Sequence, residues 1–221
     1  MTNFSRHLWD AAQPVYDAIL AHPFLGGLTN GTLERETFRG YVVQDAHYLR
    51  GYARALSLCA AKAPAEADIR MFAEHAAGAI AVERELHASF FADFGMAPHE
   101  VAAVPLTPTT TAYVTHLMAV CGLGSFAEAL GAVLPCYWIY AEVGTHLLAA
   151  GTPDPLYQRW IDTYGGEEFA AVVQAVLDLT DRVGPGLSRD DRAAATAHYL
   201  TSSRYEWMFW DASWRQERWP V

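Results

Sequence analysis

The chain has 221 residues, with 52% hydrophobic and 18% charged side chains and a formal net charge of −10. This composition can bury a large core and argues against extended disorder. An acidic chain without a basic run argues against nucleic acid and anionic membrane surfaces as partners. The first helical stripe is Phe4, Leu8, Ala11, Val15 and Ile19, closed by "HPFLGG". Next comes "TLERETFRGYVVQDAHYLRGYARALSLCAAKA", with a helix start read at Thr32 before Arg35 and Glu36, and a stop at Pro64. A third segment, "AEADIRMFAEHAAGAIAVERELHASFFADFG", ends at Gly95, and a fourth, "TPTTTAYVTHLMAVCGLG", ends at Gly122 and Gly124. The fifth, "SFAEALGAVLPCYWIYAEVGTHLLAAG", opens with a Ser-x-x-Glu capping box at Ser125 and Glu128 and closes at Gly151. "DPLYQRWIDTYGG", "EEFAAVVQAVLDLTDRVG" and "SRDDRAAATAHYLTSSRYEWMFWDASWRQ" complete about eight helical segments.

No alternating strand pattern with a hairpin turn appears, the linkers are short and there is no repeat, so one all-α domain over residues 1–221 is expected. Several helices are apolar on more than one face, as in a helix buried centrally or at a subunit contact. No apolar stretch of about 18 residues could span a bilayer. The start, "MTNFSRHLWDAAQPVYDAIL", lacks the basic-then-apolar order of a signal peptide. Cys59, Cys121 and Cys136 form an odd, sparse set without CxxC. Reduced thiols and a cytoplasmic location are therefore expected.

Three stretches carry candidate chemistry. In "LPCYWIYAEVG", Cys136, Tyr140 and Gly144 share a helical face, and Pro135 inside the helix predicts a kink that Gly131 would ease. Read alone, Cys136 is either a buried, inert thiol or a nucleophile beside a distorted backbone. Cys59 and Cys121, without polar company in their stripes, read as core residues. In "VVQDAHYLRGY", Asp45, Tyr48 and Tyr52 lie at i, i+3 and i+7 on an otherwise apolar face. A carboxylate there needs a partner, an arginine or a helix N-terminus, or else a cavity to face. In "SRYEWMFWDASW", Glu206 shares a face with Phe209 and Trp210, where desolvation raises a carboxyl toward neutrality and suits it to proton delivery. The alternative is an ion pair with Arg204 or Arg215. Tyr113 and Tyr164 are single aromatics that on their own read as core or surface. Two Glu-x-x-x-His pairs, Glu83 with His87 and Glu142 with His146, have the spacing of di-iron ligands, although a surface or capping role fits them as well.

The order and spacing of "YVVQDAHYL", "AYVTHL", "PCYWIYAEVG", "TYGGEEF" and "SRYEWMFWDASW" resemble the TenA/thiaminase II family over essentially the whole chain. The resemblance implies an all-α, haem-oxygenase-like helical bundle that assembles as a homotetramer and uses no metal or organic cofactor. It implies hydrolysis of the bond at the C5 methylene of a 4-amino-2-methylpyrimidine, in thiamine salvage. The substrate would be the aminomethyl pyrimidine or thiamine. It further implies that Cys136 is the nucleophile, Asp45 the carboxylate holding the aminopyrimidine and Glu206 the acid/base. Tyr48, Tyr113, Tyr140 and Tyr164 become pocket tyrosines, and Phe209 a ring-stacking aromatic. His47, where many relatives carry an aromatic, is a mild departure.

Overall fold

The computed structural model describes residues 3–221, apart from the side chains of residues 82–84. Ten α-helices follow one another among these residues: α1 (Phe4–Leu20), α2 (Pro23–Asn30), α3 (Arg35–Lys62), α4 (Glu66–Asp93), α5 (Pro98–Ala103), α6 (Pro108–Leu123), α7 (Phe126–Ala150), α8 (Pro155–Gly165), α9 (Glu167–Val183) and α10 (Arg189–Trp214). Local chemistry sets most of the boundaries. Pro23, Pro98, Pro108 and Pro155 each open a helix, where a missing N–H costs nothing. The capping box at α7 is present in both directions: Glu128 N–H donates to Ser125 Oγ at 3.3 Å, and Ser125 N–H donates to Glu128 Oε2 at 2.7 Å.

Three expectations change. "HPFLGG" does not merely end α1. His22 caps a short second helix, its Nδ1 accepting from Phe24 N–H at 3.1 Å, and Gly31 closes that helix with φ of +67°. Thr32 does not start α3; the helix begins at Arg35, after Glu34. The short α5 carried too few residues to show a period.

α7 is the central element. Every residue from 129 to 137 is buried, which is what a helix apolar on all sides demands. It packs against α3, α6, α8, α9 and α10. Two glycines let neighbours come close: a Cβ on Gly131 would lie 2.3 Å from the Ala195 carbonyl oxygen on α10, and one on Gly144 would lie 2.4 Å from the Tyr164 carbonyl carbon on α8. Gly131 therefore serves the crossing with α10. α7 runs as one helix from Phe126 to Ala150 through Pro135. Tyr52 on α3 braces that stretch, its hydroxyl donating to the Val133 carbonyl at 2.9 Å. α3 in turn lies along α4 and α6. The core between these helices is rich in fully buried rings, including Tyr41, Tyr113, Trp160 and Trp210. Each contributes roughly 1.5–3 kcal/mol by burial alone. No helix among the described residues is long and apolar enough to cross a membrane.

Candidate active site

Helical spacing on α3 puts Tyr41, Asp45, Tyr48 and Tyr52 on one face, and that face is turned inward. α7 presents Cys136 and Tyr140 to it, α6 presents Tyr113, and α10 presents Glu206 and Phe209. All of these side chains are buried. Tyr164, half-buried at the end of α8, closes one side, its ring 5.0 Å from that of Tyr140. Every residue singled out for the site thus joins one connected cluster.

Glu206 is the electrostatic centre. It is 1% exposed, and its Oε1 accepts from the Tyr113 hydroxyl at 2.6 Å. Burial pushes its carboxyl up to about 8; the Tyr113 bond opposes this and the Asp45 carboxylate adds to it. Glu206 is therefore mostly protonated at neutral pH. Neither expected arginine pairs with it, since Arg215 bonds Asp211 on the same helix at 2.7 Å. Asp45 has a partner that is neither an arginine nor a helix end: its Oδ2 lies 3.0 Å from His87 Nε2 on α4, and both residues are buried.

Phenols surround the sulfur. Burial, and next the nearby Cys136, push the Tyr48 and Tyr52 hydroxyls well above their ordinary range, and Cys136 also bears on Tyr113 and Tyr140. These hydroxyls stay protonated and can donate. The buried Tyr48 hydroxyl stands near that of Tyr113 without a hydrogen bond of normal geometry. The Tyr48 ring lies 4.9 Å from Tyr113 and 5.6 Å from Phe209. Two members were not marked by the sequence reading as site residues. Tyr41 shares a hydrogen bond of 3.0 Å with the Tyr140 hydroxyl; its position one turn before Asp45 was the available signal. Trp210 stacks on Tyr140 at 5.2 Å. His47 turns the other way and lies against the backbone of Val101 and Val104.

The di-iron spacing does not gather a site. His87 is engaged with Asp45, while Glu142 and His146 are exposed, with Glu142 accepting from Trp138 Nε1 at 3.2 Å. Glu83 lies outside the described side chains. Among the described residues no three His, Cys, Asp or Glu side chains come together as a metal would need.

Comparison with known proteins places this arrangement. Residues 9–216 match the model of the TENA/THI-4/PQQC family. The chain belongs to that family. This TENA/THI-4/PQQC member is 36% identical over 216 residues to the aminopyrimidine aminohydrolase of Bacillus subtilis, spanning 98% of this chain and 92% of that protein. Its fold superposes on a TenA homologue from P. horikoshii OT3 with a TM-score of 0.89 and 26% identity, over 97% of this chain and 99% of that one. A domain with a heme oxygenase-like fold from Shewanella denitrificans matches with a TM-score of 0.79 at 16% identity, over 98% of this chain and 94% of that one, a likeness of fold alone. The all-α, haem-oxygenase-like bundle expected from the resemblance is the fold observed.

Proposed function

We propose that the chain is an aminopyrimidine aminohydrolase of the thiaminase II type, working by covalent cysteine catalysis in thiamine salvage, with residues 1–221 acting as one domain. The observation that carries this reading is the convergence of one thiol and two carboxyl groups from three helices on a single ring-lined, buried cluster. The similarity to a protein named for this activity supports it.

The residue chemistry suits a flat, polar heterocycle. Asp45 accepts from the 4-amino group and the protonated ring nitrogen, making the ring a better electrophile. The Cys136 sulfur, as thiolate, adds to the ring carbon next to C5, forming a C–S bond. The electrons released push out the group on the C5 methylene. Glu206, protonated at neutral pH, gives its proton to the departing nitrogen, so ammonia leaves from an aminomethyl substrate. Water then bonds the methylene and gives a proton to the Glu206 carboxylate. The ring recovers its electrons as the C–S bond breaks, returning Cys136 as thiolate. The products are hydroxymethyl pyrimidine and ammonia, and each residue ends as it began. Tyr48, Tyr113, Tyr140, Tyr164 and Phe209 supply ring packing and hydroxyl donors. No step calls for a metal or organic cofactor. A cavity of about 540 Å³ is lined by Phe209 with Gln44, Thr110 and Trp219, and Asp45, Cys136 and Glu206 do not line it.

The decisive experiment incubates the protein with aminomethyl pyrimidine and with thiamine and follows hydroxymethyl pyrimidine by chromatography, with Cys136→Ser as control. Product from the wild type and none from the variant supports the reading. Binding without turnover by the wild type, or full activity in the variant, ends it. Relative rates on the two substrates rank them. The same reading expects a cytoplasmic homotetramer, which sedimentation of the purified protein checks for subunit count.

A further inference from the structure

The buried Asp45 carboxylate sits between two worlds. On one side it faces Glu206 of α10 and the Tyr41–Tyr140 hydroxyl pair, the cluster assigned to the pyrimidine. On the other, its Oδ2 is held at 3.0 Å by His87 Nε2 from α4, and His87 itself lines the outer groove between α3 and α4 beside Leu49, Arg50, Ala53 and Phe91. Asp45 and His87 are 3% and 5% exposed. A buried carboxylate without a donor is costly, and a half-satisfied one is free to rotate. We infer that His87 is the positioning residue for Asp45: it fixes the carboxylate plane through Oδ2 and leaves Oδ1 directed at the substrate's amidine edge.

The hydrogen-bond inventory decides the form of the contact. An ionised carboxylate can only accept, so Nε2 carries the hydrogen whenever Asp45 is ionised. Among the described residues the titratable groups facing Asp45 are His87 from α4, Tyr41 from its own helix, Tyr140 from α7 and Glu206 from α10. The two phenols stay protonated and Glu206 is mostly neutral at pH 7.

This inference rests on the pyrimidine reading of the site, and its test separates the two. Wild type, His87→Leu and His87→Gln are compared for folding by circular dichroism, for affinity toward hydroxymethyl pyrimidine, and for kcat and KM. The expected result is that His87→Leu folds but binds on the order of tenfold to a hundredfold more weakly, the worth of one hydrogen bond to a charged group. The loss should appear in KM and in kcat together, because Asp45 both holds the ring and makes it a better electrophile. His87→Gln, which keeps an N–H near the same place, should recover part of the affinity. Leu and Gln variants that bind like wild type, or that lose affinity equally, would overturn the positioning role while leaving the hydrolase reading intact. If His87→Leu fails to fold, the Gln variant decides alone: an affinity part-way below wild type supports the role and wild-type affinity overturns it. A wild type that neither binds nor turns over pyrimidine sinks the underlying reading instead.

Discussion

Cys59 and Cys121 meet where α3 packs on α6, and Cys136 lies on α7; all three thiols are buried. Their surroundings differ. The Cys59 thiol is pushed well above its ordinary range, chiefly by its hydrogen bond with Cys121 and then by burial. The nearby Lys62 ammonium is spent on the Gly122 and Gly124 carbonyls at the end of α6. Cys136 instead stands near phenols that stay protonated; Tyr52 gives its hydrogen to Val133, Tyr113 gives its own to Glu206 and Tyr140 pairs with Tyr41, which leaves the Tyr48 hydroxyl uncommitted. Burial alone therefore does not single out the thiol proposed as nucleophile. In that proposal the difference lies in whether a neighbour can donate to a developing negative sulfur.

The contrast breaks most sharply by substitution. Cys136→Ser should lower turnover by three orders of magnitude or more, about the scale at which nucleophile removal is felt, while pyrimidine affinity persists; Cys121→Ala should keep the wild-type kcat. A Cys121→Ala enzyme as dead as Cys136→Ser would show the two thiol regions to be alike. Next in size, Glu206→Gln should cost about 10²–10⁴ in kcat with little change in ligand affinity, as removal of a general acid does. Stopped-flow or steady-state rates beside equilibrium binding provide that split, and an unchanged rate takes the proton-delivery role from Glu206.

The same carboxyl gives a stability signature absent from the Cys59–Cys121 region between pH 5 and 8. Glu206 titrates near 4.5 when unfolded and is raised to about 8 when folded. Between those values the unfolded chain binds fewer protons than the folded one, so stability falls as pH rises. Glu206→Gln should remove that slope and overtake the wild type toward pH 8, by on the order of a few kcal/mol. Urea titrations from pH 5 to pH 9 check it, and parallel curves for the two proteins would contradict it. Smallest of all, Cys59→Ala should lower stability by about 1–2 kcal/mol, the cost of a small core truncation, with the same loss at every pH in that window.

Much of this was legible beforehand. Apolar stripes, glycine at helix ends and the Ser125–Glu128 box are local devices, and they marked eight of the ten helices described. α2 and α5 were missed because eight and six residues span barely two turns, too short for periodicity to declare itself. The inward face of α3 was readable from Asp45, Tyr48 and Tyr52. The partner of Asp45 was not, and His87 was read with Glu83 as a possible metal pair because both pieces lie one turn apart on a single helix.

Composition, patterning and five short motifs by themselves determined an all-α chain of one family, with a thiol and two carboxyls at candidate positions. Only the tertiary structure decided who answers whom: Asp45 to His87, Glu206 to Tyr113, and Tyr140 to Tyr41, across 42, 93 and 99 residues of chain. The physical reason is range. Caps and helical faces are fixed by neighbours within a turn or two. A hydrogen bond between helices depends on how those helices cross, and that is set by packing spread over the whole core, with no trace in local spacing.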